Sequence, residues 1–235
     1  MDHKPSEPGE QAFSAHVPTP QLLFEDAHLV AAVKPAGILS EAGGMPELLA
    51  ERCGCARVFC VHRLDRDVGG VMVYAKDGAA AAKLSAAIAS RAAVKEYLAV
   101  VQGVPEAASG TLRDLLFHDA AKNKTYVVDR PRRGVREAEL EYRLISTAQD
   151  AHAGQLSLLA ITLHTGRSHQ IRVQFASRKL PVAGDRRYGS ALRDCGVALF
   201  SHRLTLAHPV TGETMSFRAA PPAVWPWSLF SEQQN

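Results

Sequence analysis

The sequence contains 235 residues, 46% hydrophobic and 22% charged, with a net charge of +3. This balance excludes a fibrous or largely disordered chain, and a protein of this length can bury a core without disulfides. No secretory signal opens the chain and no apolar run could span a bilayer, so we expect a cytoplasmic protein with four reduced cysteines. The first twenty residues are polar and contain four prolines, which predicts a disordered tail at 1–20 before one domain at 21–230.

The first half of the domain combines short strands with helices. Strands are predicted at Leu22–Phe24 and Leu29–Val33 around an Asp-containing turn, and KPAG ends the second strand. A short helix is predicted after Pro46, because proline is tolerated in the first helical turn. GVMVYAK predicts a buried strand, and the Ala-rich Gly78–Ser90 segment, with large apolar residues four apart, predicts a helix.

The second half is dominated by strand patterns. Strands are predicted in KEYLAVVQG, NKTYVVD, EAELEYRLIS, GQLSLLAITLHTG, GVALFSHRLTLAHP and TMSFRAA. SHQIRVQFASR predicts a helix with Ser168 as its N-cap. Because strands outnumber helices and short turns join several of them, we expect an α/β fold of the α+β type. Its large, mostly antiparallel mixed sheet should be flanked by helices and loops.

Basic residues are concentrated in two segments. Residues 166–193 contain seven bases and one acid, and residues 122–136 contain six bases and one acid. Residues 1–30, in contrast, contain five acids and one base. Two basic segments in a nearly neutral chain suggest a surface that binds a polyanion. A merely solvated surface is the alternative that these charges leave open.

A cysteine-rich stretch, CGCARVFCVH, places Cys53, Cys55 and Cys60 near His62. Its Cys-x-Cys spacing differs from that of the usual zinc sites, and no second cysteine pair follows it along the chain. We therefore expect no metal site in this stretch.

The most highly charged short stretch is VHRLDRDVGG, which precedes the apolar run VMVYA. Asp65 lies between Arg63 and Arg66, directly before a strand that can hold it rigidly. A nearby guanidinium favours the ionised form of a carboxylate, which suits a nucleophile or an electrostatic stabiliser better than a general acid. An Arg–Asp pair that only organises a surface loop fits this decapeptide equally well. The chain has no Gly-rich phosphate loop, dinucleotide fingerprint or Gly-x-Ser-x-Gly elbow.

Further stretches accompany VHRLDRDVGGVMVYAK along the chain. They are FEDAHLVAAVKPAGILS, KEYLAVVQG, AAKNKTYVV, EAELEYRLI, LHTGRSHQIRVQFASRKLPVAGDRRYG and SHRLTLAHPVTGETMSFRAAPP. In this order they resemble the motifs of the RluA-type pseudouridine synthases, whose catalytic signature centres on Arg-Leu-Asp before a strand. The resemblance covers residues 22–222 and implies the pseudouridine synthase fold, with 21–230 as the catalytic domain.

The resemblance implies an enzyme that isomerises uridine in RNA to pseudouridine without a metal, redox or nucleotide cofactor. The base is cut from the sugar at N1 and rejoined through C5. Asp65 would be the catalytic aspartate, acting as a nucleophile or in proton abstraction at the sugar. Tyr97 would stack on the base and transfer a proton, and Arg172 would pair with Asp65. Half-buried packing is the alternative for Tyr97, and a surface phosphate contact is the alternative for Arg172.

A uridine inside a stem must be flipped out before its glycosidic bond can be reached. The resemblance implies that Arg63 can occupy the vacated place in the stack. His62 would stack or touch phosphate, with a hydrogen-bonded structural histidine as the alternative. Ser168 and His169 are interpreted as a helix start and an RNA-facing surface. The residues expected to contact RNA are His62, Arg63, Arg66, Lys95, Arg167, His169, Arg186 and Arg187.

The chain departs from the family at Val68–Gly70, where VGG replaces hydroxyl-bearing residues, and we expect a more flexible loop. The segment before the first strand is too short for the S4 RNA-binding module that the family often carries. Recognition of structured RNA, either rRNA or tRNA, should then rest on the catalytic domain of a monomer. Two alternatives stay open: an RNA-binding protein of the same fold without turnover, and a carboxylate-dependent glycosidase with Asp67 as its second acid.

Overall fold

The computed structural model describes residues 19–233, so all but the last two positions of the predicted tail lie outside the described residues. The helices in this range are α1 (Met45–Arg52), α2 (Gly78–Ala89) and α3 (Gln170–Ala176), with 3₁₀ helices at Arg186–Tyr188 and Trp227–Gln233. The strands are β1 (Gln21–Glu25), β2 (Leu29–Lys34), β3 (Phe59–Cys60), β4 (Gly69–Ala75), β5 (Val94–Gln102), β6 (Ser109–Asp119), β7 (Lys124–Val128), β8 (Val135–Asp150), β9 (Gly154–Leu163), β10 (Leu199–Ala207) and β11 (Thr214–Arg218). None of the helices described is both long enough and apolar enough to cross a membrane.

Each predicted strand and helix is present, with small differences in its bounds. The sequence patterns miss β3, which has two residues, and β6, in which Arg113 and Asp114 interrupt the alternation of apolar side chains. The prediction of Ser168 as the N-cap of α3 is wrong. His169 holds that position, in the left-handed conformation and without a side-chain capping bond, while the Ser168 carbonyl accepts a hydrogen bond from the Thr125 hydroxyl at 2.8 Å.

The eleven strands form one sheet in the order β1-β2-β4-β10-β5-β9-β8-β6-β7, with β3 paired to β4 and β11 paired to β10. Between residues 19 and 233 every pairing of named strands is antiparallel except that of β4 with β10. The prediction of a large, mostly antiparallel sheet is therefore confirmed. The parallel contact joins two strands that are far apart in the sequence, and the candidate site forms beside it.

β4 is buried along its whole length, which explains its continuous apolar sequence. Successive side chains of a strand point to opposite faces. Val71 and Val73 accordingly pack in a cluster with Leu84 of α2, whereas Met72 and Tyr74 belong to a larger cluster that includes residues of α3. β4 is thus held from both faces, and it supplies a rigid support for the loop that precedes it.

Candidate active site

Asp65 lies in the loop that leads into β4, and hydrogen bonds fix the backbone around it. The Val68 N–H donates to the Asp65 carbonyl oxygen at 3.0 Å. The Ser40 hydroxyl donates to the Leu64 carbonyl oxygen at 2.9 Å, and its oxygen accepts from the Leu64 N–H at 3.0 Å. Because both flanks of Asp65 are held, its carboxylate is presented from a defined backbone position.

The buried Lys34 ammonium braces the same loop. Its Nζ donates to the carbonyl oxygens of Pro35 at 2.9 Å, Ile38 at 2.7 Å and Arg66 at 3.0 Å, which uses all three of its protons. Burial lowers the pKa of Lys34 to about 8, against the opposing effect of nearby aspartates. Lys34 is therefore a structural part of the loop, since its donors are already occupied by the backbone.

Close packing of β4 against β10 explains why the Val68–Gly70 segment ends in glycine. Gly70 has φ +125°, and a Cβ placed on it would lie 2.3 Å from the Ser201 carbonyl oxygen of β10. The parallel pairing of Gly69 with Phe200 and of Gly70 with Ser201 depends on this close approach. Glycine thus lets β4 and β10 meet at the base of the site. The greater flexibility expected of this loop stays a prediction.

Arg172 on α3 joins two aspartates. Its Nη1 donates to Asp65 Oδ2 at 2.8 Å, while Nε and Nη2 donate to Asp185 Oδ2 at 2.6 Å and Oδ1 at 2.9 Å. The side chains of Arg172 and Asp185 are 3% and 1% exposed, whereas that of Asp65 is 20% exposed. Burial alone would lower the pKa of Arg172, but the hydrogen bonds and charges of Asp185 and Asp65 outweigh burial and raise it. The expected contact between Arg172 and Asp65 is therefore present, with a permanent cation beside the carboxylate.

Sequence reasoning missed Asp185. It is the one acid among the seven bases of residues 166–193, and this isolation could have indicated a buried ion pair inside the basic segment. The two hydrogen bonds that Asp185 accepts from Arg172 fix the guanidinium plane and thereby the direction of Nη1.

Tyr97 lies on β5, opposite Ser201 of β10 and Ile161 of β9, and is 8% exposed. Burial raises the pKa of Tyr97 and the Asp65 charge raises it further, while a hydrogen bond with Ser201 acts in the opposite direction. The hydroxyl therefore stays protonated at neutral pH and can donate a proton from a neutral phenol.

One cavity of about 250 Å³ brings most of the predicted residues together. Those on its lining are His62, Arg63, Asp65, Lys95, Tyr97, Arg167, His169 and Arg172. The volume lies just below the roughly 300–1,000 Å³ of typical ligand pockets, so it suits a single nucleobase better than a longer ligand. Asp67, the second acid that the glycosidase alternative requires, is exposed and is not part of this lining.

Arg66, Arg186 and Arg187 do not line the cavity. Arg66 Nε donates to the Gly37 carbonyl oxygen at 2.9 Å, and Arg187 Nη1 donates to the carbonyl oxygens of residues 122–123 at 3.2 and 2.9 Å. Arg186 is exposed. Contact of these three arginines with RNA stays a prediction, and two of them also stabilise loops near the site.

His62 is hydrogen-bonded inside the protein. Its Nε2 accepts from the Val73 N–H at 3.1 Å. Burial, and to a smaller degree the charge of Lys95, lower the pKa of His62 to about 4. The ring is neutral at physiological pH and has the hydrogen bond that the structural alternative requires. Its contact with RNA stays a prediction.

Arg63 and Lys95 are the lining cations most open to a ligand. The Arg63 side chain is 68% exposed and lies 3.7 Å from a carboxylate oxygen of Glu41. Burial and the charge of Arg91 lower the pKa of Lys95, and no described residue forms a hydrogen bond or ion pair with its ammonium. A half-buried cation without a protein partner is suited to an anionic group of a ligand.

The cysteine-rich stretch does not converge on a metal site. The Cys60 thiol donates to the His62 carbonyl oxygen at 2.9 Å, and the Cys55 thiol lies 3.8 Å from the Arg57 carbonyl oxygen. In the part of the chain that the structure describes, no group of three His, Cys, Asp or Glu side chains is arranged to hold a metal ion.

A buried arginine that holds an aspartate at a cavity, beside a neutral tyrosine on a mostly antiparallel sheet, makes this cavity a candidate active site centred on a carboxylate. Residues 28–177 match the family model described as RNA pseudouridylate synthase. The chain belongs to this family of isomerases that act on RNA.

Individual relatives agree with the family match. A Synechocystis protein named as an uncharacterized RNA pseudouridine synthase is 34% identical over 220 residues, covering 86% of this chain and 65% of the relative. The chain thus spans slightly less than two thirds of that protein. The dual-specificity RNA pseudouridine synthase RluA of Escherichia coli is 33% identical over 210 residues, covering 84% of this chain and 91% of RluA.

The solved structures bear on the fold. The human protein RNA pseudouridylate synthase domain containing 1 superimposes with a TM-score of 0.76 at 20% identity, covering 95% of this chain and 89% of the human chain. The predicted pseudouridine synthase fold is confirmed by this likeness.

Proposed function

We propose that this protein isomerises one or more uridines in structured RNA, ribosomal or transfer, to pseudouridine, with Asp65 as the catalytic carboxylate. It acts as a cytoplasmic monomer and uses neither a metal nor a nucleotide cofactor. The main support is the Asp65 carboxylate itself. Arg172 engages its Oδ2, no described residue forms a hydrogen bond with its Oδ1, and the carboxylate lines the same cavity as Tyr97.

The chemistry requires a new bond from the sugar to the other side of the base. The C1′–N1 bond breaks, the uracil turns, a C1′–C5 bond forms, C5 loses a proton and N1 gains one, so substrate and product are isomers. The Asp65 carboxylate either attacks C1′ or removes a proton from the sugar, and in both cases the Arg172 guanidinium holds it by its Oδ2. Tyr97 stacks on the base and transfers a proton as a neutral phenol.

The cavity accepts a uridine only after it has left its stem. Arg63 lies two residues before Asp65 and is mostly exposed, which suits insertion into the vacated place in the stack. Lys95 and Arg167 line the same cavity and present cations to the phosphates that flank the flipped nucleotide.

Tritium release from RNA labelled at uridine C5 tests this proposal without knowledge of the target position. Total cellular RNA that lacks the native modification supplies the substrate. The wild type should release tritium, whereas Asp65→Ala should release none and should still bind RNA. Asp65→Asn is the matched control, because it keeps the side-chain volume and removes only the charge, and it should be inactive too.

Two outcomes would contradict the proposal. Binding of RNA by the wild type without any release would indicate the RNA-binding protein without turnover. Equal loss of binding and release in Asp65→Ala would contradict the catalytic role of the carboxylate. Against the first outcome stands the buried Arg172–Asp185 pair, since burying charges costs free energy that RNA binding alone does not require.

A further inference from the structure

His169 is held between the catalytic carboxylate and a tyrosine. It precedes α3 with φ 53°, and its side chain is 8% exposed. Its Nδ1 lies 2.8 Å from the Tyr188 hydroxyl oxygen, and its Nε2 lies 3.7 Å from Asp65 Oδ2. Sequence reasoning placed this side chain on an RNA-facing surface, whereas the structure places it inside the ion-pair network of the site.

The hydrogen bonds around Tyr188 favour one position for the proton of the neutral His169 ring. The backbone N–H of Thr125 donates to the Tyr188 hydroxyl oxygen at 2.8 Å. The hydroxyl keeps one proton of its own to donate, and His169 Nδ1 lies in hydrogen-bond geometry to accept it. The Thr125 hydroxyl also interacts with Tyr188, but it donates its own proton to the Ser168 carbonyl oxygen. In the neutral ring Nδ1 is then unprotonated and Nε2 carries the proton.

The charge on the other side of the ring favours the same tautomer. A protonated Nε2 points a donor at the Asp65 carboxylate, whereas an unprotonated Nε2 would place its lone pair against a negative oxygen. Two independent neighbours, Tyr188 and Asp65, therefore agree on an Nε2–H imidazole.

We propose that His169 is a positioning residue, whose Nε2–H orients the Asp65 carboxylate. This inference rests on the proposed function of Asp65. Arg172 and His169 both approach Oδ2, so Oδ1 is the oxygen turned toward the uridine sugar. The distance of 3.7 Å exceeds that of a hydrogen bond, and catalytic contacts of this kind shorten when substrate binds.

The charges around His169 favour a neutral donor. Burial lowers its pKa, and Asp65 opposes this effect, while Arg172, Arg187 and His118 lower the pKa further. The Lys124 ammonium also lies 5.6 Å from the centre of the Tyr188 ring that packs against His169. A neutral ring orients the carboxylate and adds no second positive charge to the one that Arg172 already supplies.

Two substitutions of His169 separate the effect of the Nε2–H donor from the effect of the rest of the side chain. The amide nitrogen of glutamine reaches the position of Nε2, and that of asparagine reaches only the position of Nδ1. Asparagine also tolerates the left-handed backbone of this residue, so His169→Asn should fold. His169→Gln should stay within about twofold of the wild-type kcat for tritium release. His169→Asn should lose roughly tenfold, the effect of one hydrogen bond to a charged group, with unchanged KM.

The split between kcat and KM distinguishes positioning from a structural role. In His169→Asn kcat should fall, while the KM for RNA and the urea midpoint should stay at their wild-type values. Wild-type kcat in His169→Asn would overturn the assignment, and so would equal losses of kcat in the two variants. No release by the wild type would overturn the proposed function instead.

The tautomer of His169 can be determined by NMR, without an activity assay. Nitrogen chemical shifts of ¹⁵N-labelled histidine rings, with the His169 signals identified by their loss in His169→Asn, should show a protonated Nε2 at neutral pH. In Tyr188→Phe, which removes the hydroxyl, this preference should weaken. A protonated Nδ1 in the wild type would overturn the inference even if the enzyme is active.

Discussion

The two ends of the cavity hold their charges in different ways. At the carboxylate end, Arg172 and Asp185 are almost fully buried and joined by two hydrogen bonds, and a third reaches Asp65. At the rim and on the surface beyond it, Arg63 of the cavity lining and Arg186 outside this lining are exposed, and neither makes a side-chain hydrogen bond to a described residue. This difference agrees with the proposed function, in which reacting groups need fixed directions, whereas binding of a flexible polyanion needs only available positive charge.

Asp185→Ala should break the carboxylate end and have the largest effect. It leaves the buried Arg172 with one of its two partners, and breaking a buried ion pair costs about 3–5 kcal/mol. The urea midpoint should fall accordingly. Tritium release should fall at least about tenfold, because Nη1 is no longer directed at Asp65.

Glu96→Ala is the matched control for that variant. It removes the partner of Arg203, in a pair whose side chains are 29% and 45% exposed, and it should cost less than about 1 kcal/mol. Similar destabilisation of the two variants would contradict the distinction between buried and exposed ion pairs in this protein.

Gly70→Ala tests the strand contact beneath the carboxylate end. The new Cβ would meet the Ser201 carbonyl oxygen at 2.3 Å on a backbone with φ +125°, so we expect a loss of about 3 kcal/mol. Gly212→Ala is the control, since its φ is +76° but no atom lies within 4 Å of the added Cβ. It should cost about 1 kcal/mol, from the backbone alone. Equal losses in thermal unfolding would show that β4 and β10 can move apart freely.

The pH dependence of stability tests whether His62 belongs to the buried carboxylate end or to the exposed rim. The unfolded chain takes up a proton near the ordinary pKa of 6.5, whereas folded His62 does so only near a pKa of about 4. Between these values the unfolded state binds more protons, so stability falls as the pH is lowered from 6.5 toward 4.

His62→Gln should remove part of that pH dependence. The glutamine oxygen can still accept from the Val73 N–H, but it does not titrate. The free energy of unfolding between pH 7 and pH 4.5 should fall less in the variant, by roughly 2 kcal/mol. A slope identical to that of the wild type would place His62 with the solvated cations of the rim.

Arg186→Ala should have the smallest effect and act on the rim alone. We expect a several-fold weaker affinity for RNA, a salt slope lower by about 1, and unchanged kcat at saturating RNA. Arg57→Ala is the control, because Arg57 packs on Phe59, which pairs with Ala75 at the other end of β4. A lower kcat in Arg186→Ala would mean that the rim also takes part in positioning the reacting groups.

Local patterns predicted most of the fold. Alternating and continuous apolar runs located the long strands, and the spacing of large residues located α2, because these periods depend on neighbours within a few positions. β6 was not predicted, because Arg113 and Asp114 interrupt the regular alternation of apolar side chains. Its pairing with β7 and β8 makes this segment a strand. Ser168 had the composition of an N-cap, but its carbonyl is engaged by Thr125, which lies 43 residues away in the chain.

The sequence by itself determined the family resemblance, the positions of the long strands along the chain and the candidacy of Asp65, because these depend on short contiguous motifs. Only the tertiary structure decided how the charges are satisfied. Arg172 lies 107 residues from Asp65 in the chain, and Asp185 lies 13 residues from Arg172. Their contacts, and the approach of His169 to the same carboxylate, depend on the packing of α3 against the sheet. Such contacts form between segments that share no local pattern, so the physical chemistry of the site follows from packing rather than from sequence spacing.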